Sequence, residues 1–285
     1  MQPRISASLS ATLSPLVLDS PHSGTDYPAD FAYACPLKHL RQAEDYLVDE
    51  LFGFGPSIGA PMIAAPFPRS YIDVNRAPGD IDPELLSPEE RGGLAPSQKS
   101  DLGMGLIWRL LDGREPIYDR PMTRAEIDGR IERCWKPYHQ AVEQAIEAAH
   151  QRHGYSIHIN CHSMPSQSPL YPASLGHAMP FDFLIGDRDG STSSSALTQY
   201  VAAFLRAEGF VVSVNEVFKG VELVRRYGAP EKDRHSIQVE INRKLYMDES
   251  AHARNDGFVR IQSVLQRLAH ALLALNGVPR SSRGA

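Results

Sequence analysis

The sequence predicts an α/β fold, a mixed and mostly parallel sheet with helices on both faces, in a single domain that covers residues 1–285. Two observations lead to this prediction. Strand-like apolar segments alternate with helix-like periodic segments along the whole chain. No Ser/Gly-rich linker or internal repeat divides the chain, and its 42% hydrophobic content is ample for a core.

Several short apolar segments bounded by Pro, Gly or polar residues have the pattern of β-strands. The first ends at Pro21-His22-Ser23-Gly24, and the second and third are separated by Pro66 and Pro68. The predicted strands are 15–19, 62–65, 70–74, 155–161, 181–185, 210–214 and 236–241.

Helix-like periodicity is clearest after Thr123, where Glu126 completes a capping box, and it continues to Gly154. Residues 77–100 are rich in Pro, Gly and charge and have no period, which predicts a loop excursion. Loops of this length are lids, binding loops or disordered segments. The predicted helices are 40–54, 123–154, 195–208 and 257–275, the last ended by Gly277 and Pro279.

Composition and charge exclude several classes of protein. The net charge of −5 argues against a nucleic-acid partner, which would favour a basic surface. No stretch approaches the roughly 18 apolar residues of a membrane span, and residues 1–15 lack the apolar core of a secretory signal. Three widely spaced cysteines do not suggest a disulfide framework, which is consistent with a cytoplasmic location.

Chemically useful side chains stand at predicted strand ends. The first strand runs into His22, the strand 155–161 runs into His162, and the strand 236–241 carries Glu240 on its polar face. Because ligands bind at the carboxyl edge of a parallel sheet, these side chains are candidates for one site. Two histidines and a carboxylate are the protein ligands of a catalytic zinc site, and a second carboxylate would act as general base.

Two cationic clusters are candidates for binding carboxylates. Residues 69–76 carry Arg69 and the pair Asn75-Arg76 after a predicted strand, and an Arg fork beside an amide suits a carboxylate. A second loop carries Lys219 and Arg225 before the strand of Glu240.

Structural interpretations compete with these functional ones. A lone histidine at a strand end is more often a cap or a surface residue than a ligand. His139, His150 and His153 fit a solvated or core helix position, and His158 is either packed or a support for a ligand. The absence of G-x-S-x-G disfavours a serine hydrolase, and the absence of G-x-x-x-x-G-K-[ST] disfavours phosphate-loop chemistry.

A set of short motifs, in the same order along the chain, resembles the N-formylglutamate amidohydrolase family. The matching pieces cover about residues 17–248. They are Pro-His-Ser-Gly at 21–24, Glu-Asp-Tyr-Leu-Val-Asp-Glu-Leu at 44–51, Arg-Ser-Tyr-Ile-Asp-Val-Asn-Arg at 69–76, Trp-Lys-Pro-Tyr-His at 135–139, Cys-His-Ser-Met at 161–164, Phe-Lys-Gly at 218–220, Arg225 with Tyr227-Gly228, and His-Ser-Ile-Gln-Val-Glu at 235–240 with Leu-Tyr-Met at 245–247.

The resemblance implies a zinc-carboxypeptidase-like (phosphorylase/hydrolase-like) fold with one zinc ion per chain. It makes His22 and His162 zinc ligands and Glu240 the general base. The carboxypeptidase pattern has a Glu ligand three residues after the first histidine, but here that residue is Thr25. Asp45 matches an acid of the family and is the expected third ligand. Glu44 is the alternative because its helical spacing places it with Leu40, Leu47 and Leu51.

The same resemblance implies the reaction and the substrate. The expected activity is an N-formylglutamate deformylase of histidine catabolism, which releases formate from a small N-acyl amino acid. Arg69 or Arg225 would stabilise the oxyanion, Asn75 and Arg76 would bind one substrate carboxylate, and Lys219 or Arg225 the other. The alternatives are a zinc deacylase or carboxypeptidase-like peptidase acting on another N-acyl amino acid, and a non-catalytic small-molecule binder of the same fold.

Overall fold

A mixed β-sheet organises the part of the chain that the computed structural model describes, residues 1–6, 14–171, 177–275 and 277–278. Its strands, and the two small hairpins beside it, are β1 (Arg4–Ile5), β2 (Leu16–Ser20), β3 (Met62–Ala64), β4 (Leu110–Leu111), β5 (Glu115–Pro116), β6 (Ser156–Met164), β7 (Phe183–Gly186), β8 (Val212–Val214), β9 (Arg234–Asn242), β10 (Met247–Asp248) and β11 (Ala253–Arg254).

The sheet order is β1-β3-β2-β6-β9-β7-β8, and its pairing is mixed. β2, β6 and β9 are parallel neighbours, β7 runs antiparallel to β9, and β8 is parallel to β7. The predicted mixed, mostly parallel sheet is therefore confirmed.

The helices of the described residues are α1 (Leu37–Leu40), α2 (Val48–Leu51), α3 (Gln98–Asp101), α4 (Arg124–Arg130), α5 (Lys136–His153), α6 (Ser195–Ala207), α7 (Glu222–Tyr227) and α8 (Phe258–Leu273). The capping box predicted at Thr123 is present at the start of α4. A π-helical turn, Ile131–Trp135, joins α4 to α5. The predicted helix stop at Pro279 lies outside the described residues.

The chain forms two compact units, each built from segments that are separate in the sequence. The first unit consists of Met1–Arg4, Pro21–Asp45 and Ala64–Ala141. The second unit consists of the described residues of Ile5–Ser20, Tyr46–Ile63 and Val142–Ala285. The single-domain organisation of residues 1–285 stays a prediction.

Helices cover both faces of the sheet in the second unit. Alternate residues of β6 and β9, such as Ile159 and Val239, form one buried apolar cluster with side chains of α6 and α8. On the other face the His158 ring lies edge-on to Tyr227 of α7, with ring centroids 6.1 Å apart. Its Nδ1 is hydrogen-bonded to the Ser236 hydroxyl. One face of these strands is thus apolar and the other polar, as their alternation requires.

An aromatic cluster anchors the first unit around a buried cation. The Arg130 guanidinium lies 4.0 Å from the Tyr71 ring centroid and donates to the Tyr71 carbonyl and to the Tyr118 hydroxyl, both at 2.8 Å. Phe31 packs edge-on against Tyr71 at 5.3 Å. These contacts fix the backbone at the start of the 69–76 segment, which carries several candidate site residues.

The continuous helix predicted over 40–54 is wrong. α1 ends at Leu40, a short 3₁₀ turn follows, Glu44 is extended, and Leu47 has a left-handed φ of 66° before α2. The helix is interrupted because the Asp45 N–H donates to the His22 carbonyl (2.9 Å) and the Asp45 carbonyl accepts from the Ser23 hydroxyl (3.0 Å). Tertiary hydrogen bonds thus override the apolar periodicity.

The strand predicted over 70–74 is also wrong, because this segment folds as turns. The Tyr71 N–H donates to the Pro68 carbonyl (3.0 Å), and the Asp73 carboxylate accepts the Asn75 N–H (2.9 Å). The Asp73 side chain therefore satisfies a backbone donor that a sheet neighbour would otherwise satisfy.

The 77–100 excursion contains short helical turns and is closed at its base. The Ala95 N–H donates to the Gly79 carbonyl at 2.7 Å, and Ser97 donates to the buried Asp80 carboxylate through its N–H (2.8 Å) and its hydroxyl (2.9 Å). A role as a lid stays a prediction. None of the helices in the described ranges is long and apolar enough to span a membrane.

Folding stability should fall at acid pH through His235. Its Nδ1 accepts the N–H of Ser194, the N-cap of α6, at 3.1 Å, and burial lowers its pKa from the usual 6.5 while nearby Asp233 opposes the shift. As the pH drops below 6.5, the unfolded chain takes up this proton before the folded chain does, so the free energy of unfolding decreases.

Urea unfolding of the wild type and of His235→Gln across about pH 5–8 tests this contribution. The glutamine variant can still accept the Ser194 N–H and does not titrate. We expect the stability of the wild type relative to this variant to fall with the pH. Parallel profiles for the two proteins would show that His235 contributes nothing.

Candidate active site

His22, which directly follows β2 and Pro21, is held between two carboxylates of the first unit. Its Nε2 lies 2.7 Å from Asp73 Oδ1, and its Nδ1 lies 3.3 Å from Asp45 Oδ2. All three side chains are fully buried. We call His22, Asp45, Arg69, Asp73, Asn75 and Arg76 the first cluster.

The structure separates the two acids between which the sequence left a choice. Asp45 contacts His22, whereas Glu44 accepts a 2.7 Å hydrogen bond from the Tyr27 hydroxyl and lies 3.6 Å from Arg41 Nε. Burial and the Glu44 charge raise the pKa of Tyr27, which keeps this hydroxyl protonated as a donor. Of the two, Asp45 is therefore the carboxylate beside the candidate ligand.

Asp73 is a site residue that the sequence interpretation missed. Burial alone would raise its pKa, but the charges of His22, Arg69 and Arg76 hold the pKa well below its usual range. Arg69 donates to Asp73 Oδ2 from Nε (3.3 Å) and from Nη2 (3.0 Å). The signal available in the sequence was an acid four residues after Arg69, inside a predicted apolar strand where an unpartnered charge would be costly.

Arg69 and Arg76 differ in their surroundings. The Arg69 guanidinium lies over the Trp108 ring at 4.9 Å and 3.8 Å from Asp45 Oδ1. Arg76 is 5% exposed and donates to the carbonyls of Met104 (3.2 Å) and Asn75 (3.1 Å). Burial lowers the pKa of Arg76, and the Asp73 carboxylate opposes this shift. Both cations are thus fixed in place beside carboxylates or carbonyls.

His162 and Glu240 face each other in the second unit. They are paired residues of the parallel strands β6 and β9, and both are buried. The Gln238 amide donates to Glu240 Oε1 at 2.8 Å, which fixes the orientation of this carboxylate. The sequence predicted this face of β9 correctly because strict alternation separates Gln238 and Glu240 from the apolar Val239.

A chain of buried hydrogen bonds orients the His162 ring. Asp19 Oδ1 accepts from Asn160 Nδ2 at 2.8 Å, which turns Asn160 Oδ1 towards His162 Nε2, also at 2.8 Å. Since that amide oxygen only accepts, His162 carries a proton on Nε2. His158 joins the chain through Asp19 (2.8 Å) and Ser236 (2.7 Å), which supports its interpretation as a supporting residue.

We call Asp19, His158, Asn160, His162, Gln238 and Glu240 the second cluster. Asp19 and Asn160 were not identified from the sequence. Their signal was the repeat of polar residues at positions 158, 160 and 162 of a buried strand, together with an acid at the end of the neighbouring strand.

Lys219 and Arg225 lie on the surface of the second unit, each beside an acid. Lys219 Nζ lies 2.9 Å from Asp189 Oδ2, and Arg225 Nη2 lies 2.6 Å from Glu222 Oε2. About half of each cationic side chain is exposed, at 53% for Lys219 and 52% for Arg225. A role in substrate binding stays a prediction for both.

The clusters together offer a clear set of chemical groups. The first holds an imidazole, two carboxylates and two guanidinium groups, and the second holds two imidazoles, two carboxyl groups and two side-chain amides. These are the donor and acid–base groups from which hydrolytic metal sites are built. Each cluster is buried and hydrogen-bonded within its own unit.

Comparison with known proteins extends over nearly the whole chain. The family model for N-formylglutamate amidohydrolase matches residues 14–247. The N-formylglutamate deformylase of Pseudomonas aeruginosa is 31% identical over 267 residues, which cover 91% of this chain and 93% of that protein. The N-formylglutamate deformylase of Pseudomonas putida is 28% identical over 268 residues, 91% of this chain and 92% of its own.

A solved structure is similar in fold as well as in sequence. The crystal structure of N-formylglutamate amidohydrolase from Ralstonia eutropha JMP134 matches with a TM-score of 0.89 and 43% sequence identity, over 96% of this chain and 97% of that one.

Proposed function

The chain belongs to the N-formylglutamate amidohydrolase family, and we propose that it hydrolyses the N-formyl amide of N-formyl-L-glutamate to formate and L-glutamate. The observation that carries the proposal is that the family match, residues 14–247, contains every residue of both buried clusters. The two deformylases that resemble the chain are matched over more than nine tenths of their length, which supports carrying over the activity as a whole.

His22, Asp45 and His162 are the proposed ligands of one zinc ion per chain. Two imidazoles and a carboxylate are a ligand set of catalytic zinc sites. β2, which leads through Pro21 to His22, is the parallel neighbour of β6, which carries His162. Parallel neighbours end at the same edge of a sheet, so their connectivity supports a shared site.

The contacts of His22 also fit a cation. Its Nε2 lies 2.7 Å from an Asp73 oxygen and its Nδ1 lies 3.3 Å from an Asp45 oxygen. A ring proton on Nδ1 would fill the second contact, and in the proposed zinc-bound form the ion would replace that proton. Metal-binding histidines commonly donate their second ring N–H to a carboxylate or amide oxygen, as His22 and His162 do here.

Glu240 is the proposed general base. When bound, zinc at such a site supplies Lewis acidity, which polarises a carbonyl and lowers the pKa of water from about 15.7 to about 7. Glu240 accepts a proton from the attacking water and returns it to the departing amine nitrogen, which cannot leave as an amide anion. The hydrogen bond from Gln238 orients the Glu240 carboxylate for the first of these steps.

Arg69 is the proposed stabiliser of the oxyanion that forms on the formyl oxygen. Its guanidinium is anchored by Asp73 and lies over Trp108, so its orientation is fixed before the substrate binds. Arg225, the other candidate from the sequence, is 52% exposed, whereas Arg69 is 17% exposed and lies 3.8 Å from Asp45, a proposed zinc ligand. We therefore assign the oxyanion to Arg69.

Two sets of side chains are proposed for the two carboxylates of the substrate. Asn75 and Arg76 bind one carboxylate, and Lys219 or Arg225 binds the other. The Lys219–Asp189 pair is exposed on both sides, and a surface ion pair contributes only about 0–1 kcal/mol, so exchange of Asp189 for a substrate carboxylate is inexpensive. Glu222 is buried, but it also pairs with Arg226, which would remain its partner if Arg225 turned to the substrate.

Asp45→Asn should remove bound zinc, whereas Glu44→Gln should retain one equivalent, because Asp45 contacts His22 and Glu44 accepts from the Tyr27 hydroxyl. Metal analysis after dialysis against a weak chelator measures both variants. Glu44→Gln is the matched control, since it neutralises the adjacent buried acid. Zinc retained by Asp45→Asn and lost by Glu44→Gln would move the assignment to Glu44.

Glu240→Gln should keep zinc and lower kcat by about 10²–10⁴-fold, because an amide cannot accept the proton of water. Steady-state kinetics with parallel metal analysis separates this outcome from loss of the site. Near-wild-type turnover by the zinc-loaded variant would exclude Glu240 as general base.

Formate release from N-formyl-L-glutamate, with and without a strong chelator, tests the proposed function. We expect release of one formate per L-glutamate, its loss in chelator and its return with zinc. N-acetyl-L-glutamate tests selectivity for the formyl group, and N-formyl-L-leucine tests the need for a second carboxylate. Faster hydrolysis of the acetyl compound than of the formyl compound would contradict the proposed substrate.

A further inference from the structure

The turn that carries Asn75 and Arg76 is held through three consecutive backbone carbonyls. His139 Nε2 donates to the Val74 carbonyl at 2.8 Å, and Trp135 Nε1 donates to the Arg76 carbonyl at 2.9 Å. Between them, the Arg76 guanidinium donates to the Asn75 carbonyl at 3.1 Å. Because a carbonyl only accepts, the proton of His139 in this bond is on Nε2.

These hydrogen bonds act on deeply buried backbone. Val74 is 0% exposed, Asn75 2% and Arg76 5%. A buried carbonyl that loses its donor is costly, so the two ring N–H groups determine where the carbonyls of Val74 and Arg76 point. The peptide planes before Asn75 and after Arg76, which bracket the pair, are thereby fixed.

The π-helical turn between α4 and α5 sets the position of the Trp135 indole. Trp135 ends the π-helical turn, and His139 lies one turn later in α5, so both side chains occupy one helix face. Their rings stack with centroids 3.7 Å apart and planes 22° apart. A π-helical turn adds one residue, which is equivalent to a rotation of about 100°, and such turns are frequent at functional sites.

Asp73 holds the same turn from its other end. Its carboxylate accepts the Asn75 N–H at 2.9 Å, and its carbonyl accepts the Arg76 N–H at 3.1 Å. Hydrogen bonds therefore hold the backbone of the turn from two sides. Asp73, which is hydrogen-bonded to His22, holds one side, and the ring N–H groups of Trp135 and His139 hold the other.

We propose that Trp135 and His139 are positioning residues that orient Asn75 and Arg76 to bind a carboxylate of the substrate. This inference rests on the proposed function, which makes Asn75 and Arg76 the carboxylate-binding pair. The rings act through the backbone of the turn. Loss of either N–H should therefore weaken carboxylate binding and leave the hydrolytic step unchanged.

Three substitutions separate the N–H groups from ring packing. Trp135→Phe keeps an aromatic ring and removes the N–H, His139→Leu removes the donor, and His139→Gln keeps an amide N–H that can reach the carbonyl. The measurements are KM and kcat for formate release, the calorimetric Kd of L-glutamate, and zinc content.

We expect Trp135→Phe and His139→Leu to raise KM and the Kd of L-glutamate about tenfold, equivalent to about 1.4 kcal/mol. We expect kcat to stay within about twofold of the wild type, with zinc content unchanged. His139→Gln should stay within about threefold of the wild-type Kd, because its amide restores the donor. Should His139→Leu not fold, Trp135→Phe decides the outcome alone.

His150→Leu is the matched control. His150 lies on the same helix, about 16 Å further along its axis, and its Nε2 also bonds to a backbone carbonyl, that of Lys232, at 2.9 Å. The control removes the same type of hydrogen bond away from the turn. We expect it to leave KM and the Kd of L-glutamate unchanged.

The outcomes distinguish this inference from the proposed function. Unchanged KM and Kd in Trp135→Phe, with only a lower melting temperature, would show a purely structural role and overturn the inference. A wild type that binds L-glutamate but releases no formate refutes the proposed function, while weaker binding by Trp135→Phe still supports the inference. A wild type that does not bind L-glutamate overturns the inference and the assignment of Asn75 and Arg76.

Discussion

The buried contact between His22 and Asp73 is the interaction on which the first cluster depends. Charged side chains are tolerated inside a protein only when each meets a partner, and Asp73 satisfies several groups at once. It accepts from His22, from Arg69 and from the backbone of Asn75. One carboxylate thus orients the proposed metal ligand, the proposed oxyanion-binding cation and the turn that carries the proposed carboxylate-binding pair.

In the second unit, the alternation of side chains along the strands gives the buried polar groups their partners. Because β6 and β9 are paired in register, His162 lies beside Glu240 and Asn160 beside Gln238 on one polar face. The opposite face is apolar and packs against α6 and α8. Isolated polar groups on a central pair of strands would be destabilising, and here they are hydrogen-bonded to one another. The hydrogen bond with Asn160 places a proton on His162 Nε2, which leaves Nδ1 as the nitrogen for the proposed zinc.

Sequence periodicity predicted the elements whose burial pattern is local. The strand of Glu240 and the helix after Thr123 were found because each has one apolar face. Periodicity failed where tertiary hydrogen bonds decide the backbone. The Asp45 N–H bonds to His22 and breaks the 40–54 pattern, and Asp73 folds its segment as a turn. Asp73 and Asn160 were missed as site residues because the partners that reveal their roles, His22 and Asp19, are 51 and 141 residues away in the chain.

The proposed ligand set of two imidazoles and one carboxylate is most directly tested by X-ray absorption spectroscopy of the zinc-loaded protein. Zinc–nitrogen and zinc–oxygen distances are about 2.0–2.2 Å, whereas zinc–sulfur distances are about 2.3 Å. We expect a first shell of nitrogen and oxygen only, with scattering from two imidazole rings. A sulfur contribution from any of the three cysteines, or scattering from fewer than two imidazole rings, would contradict the assignment.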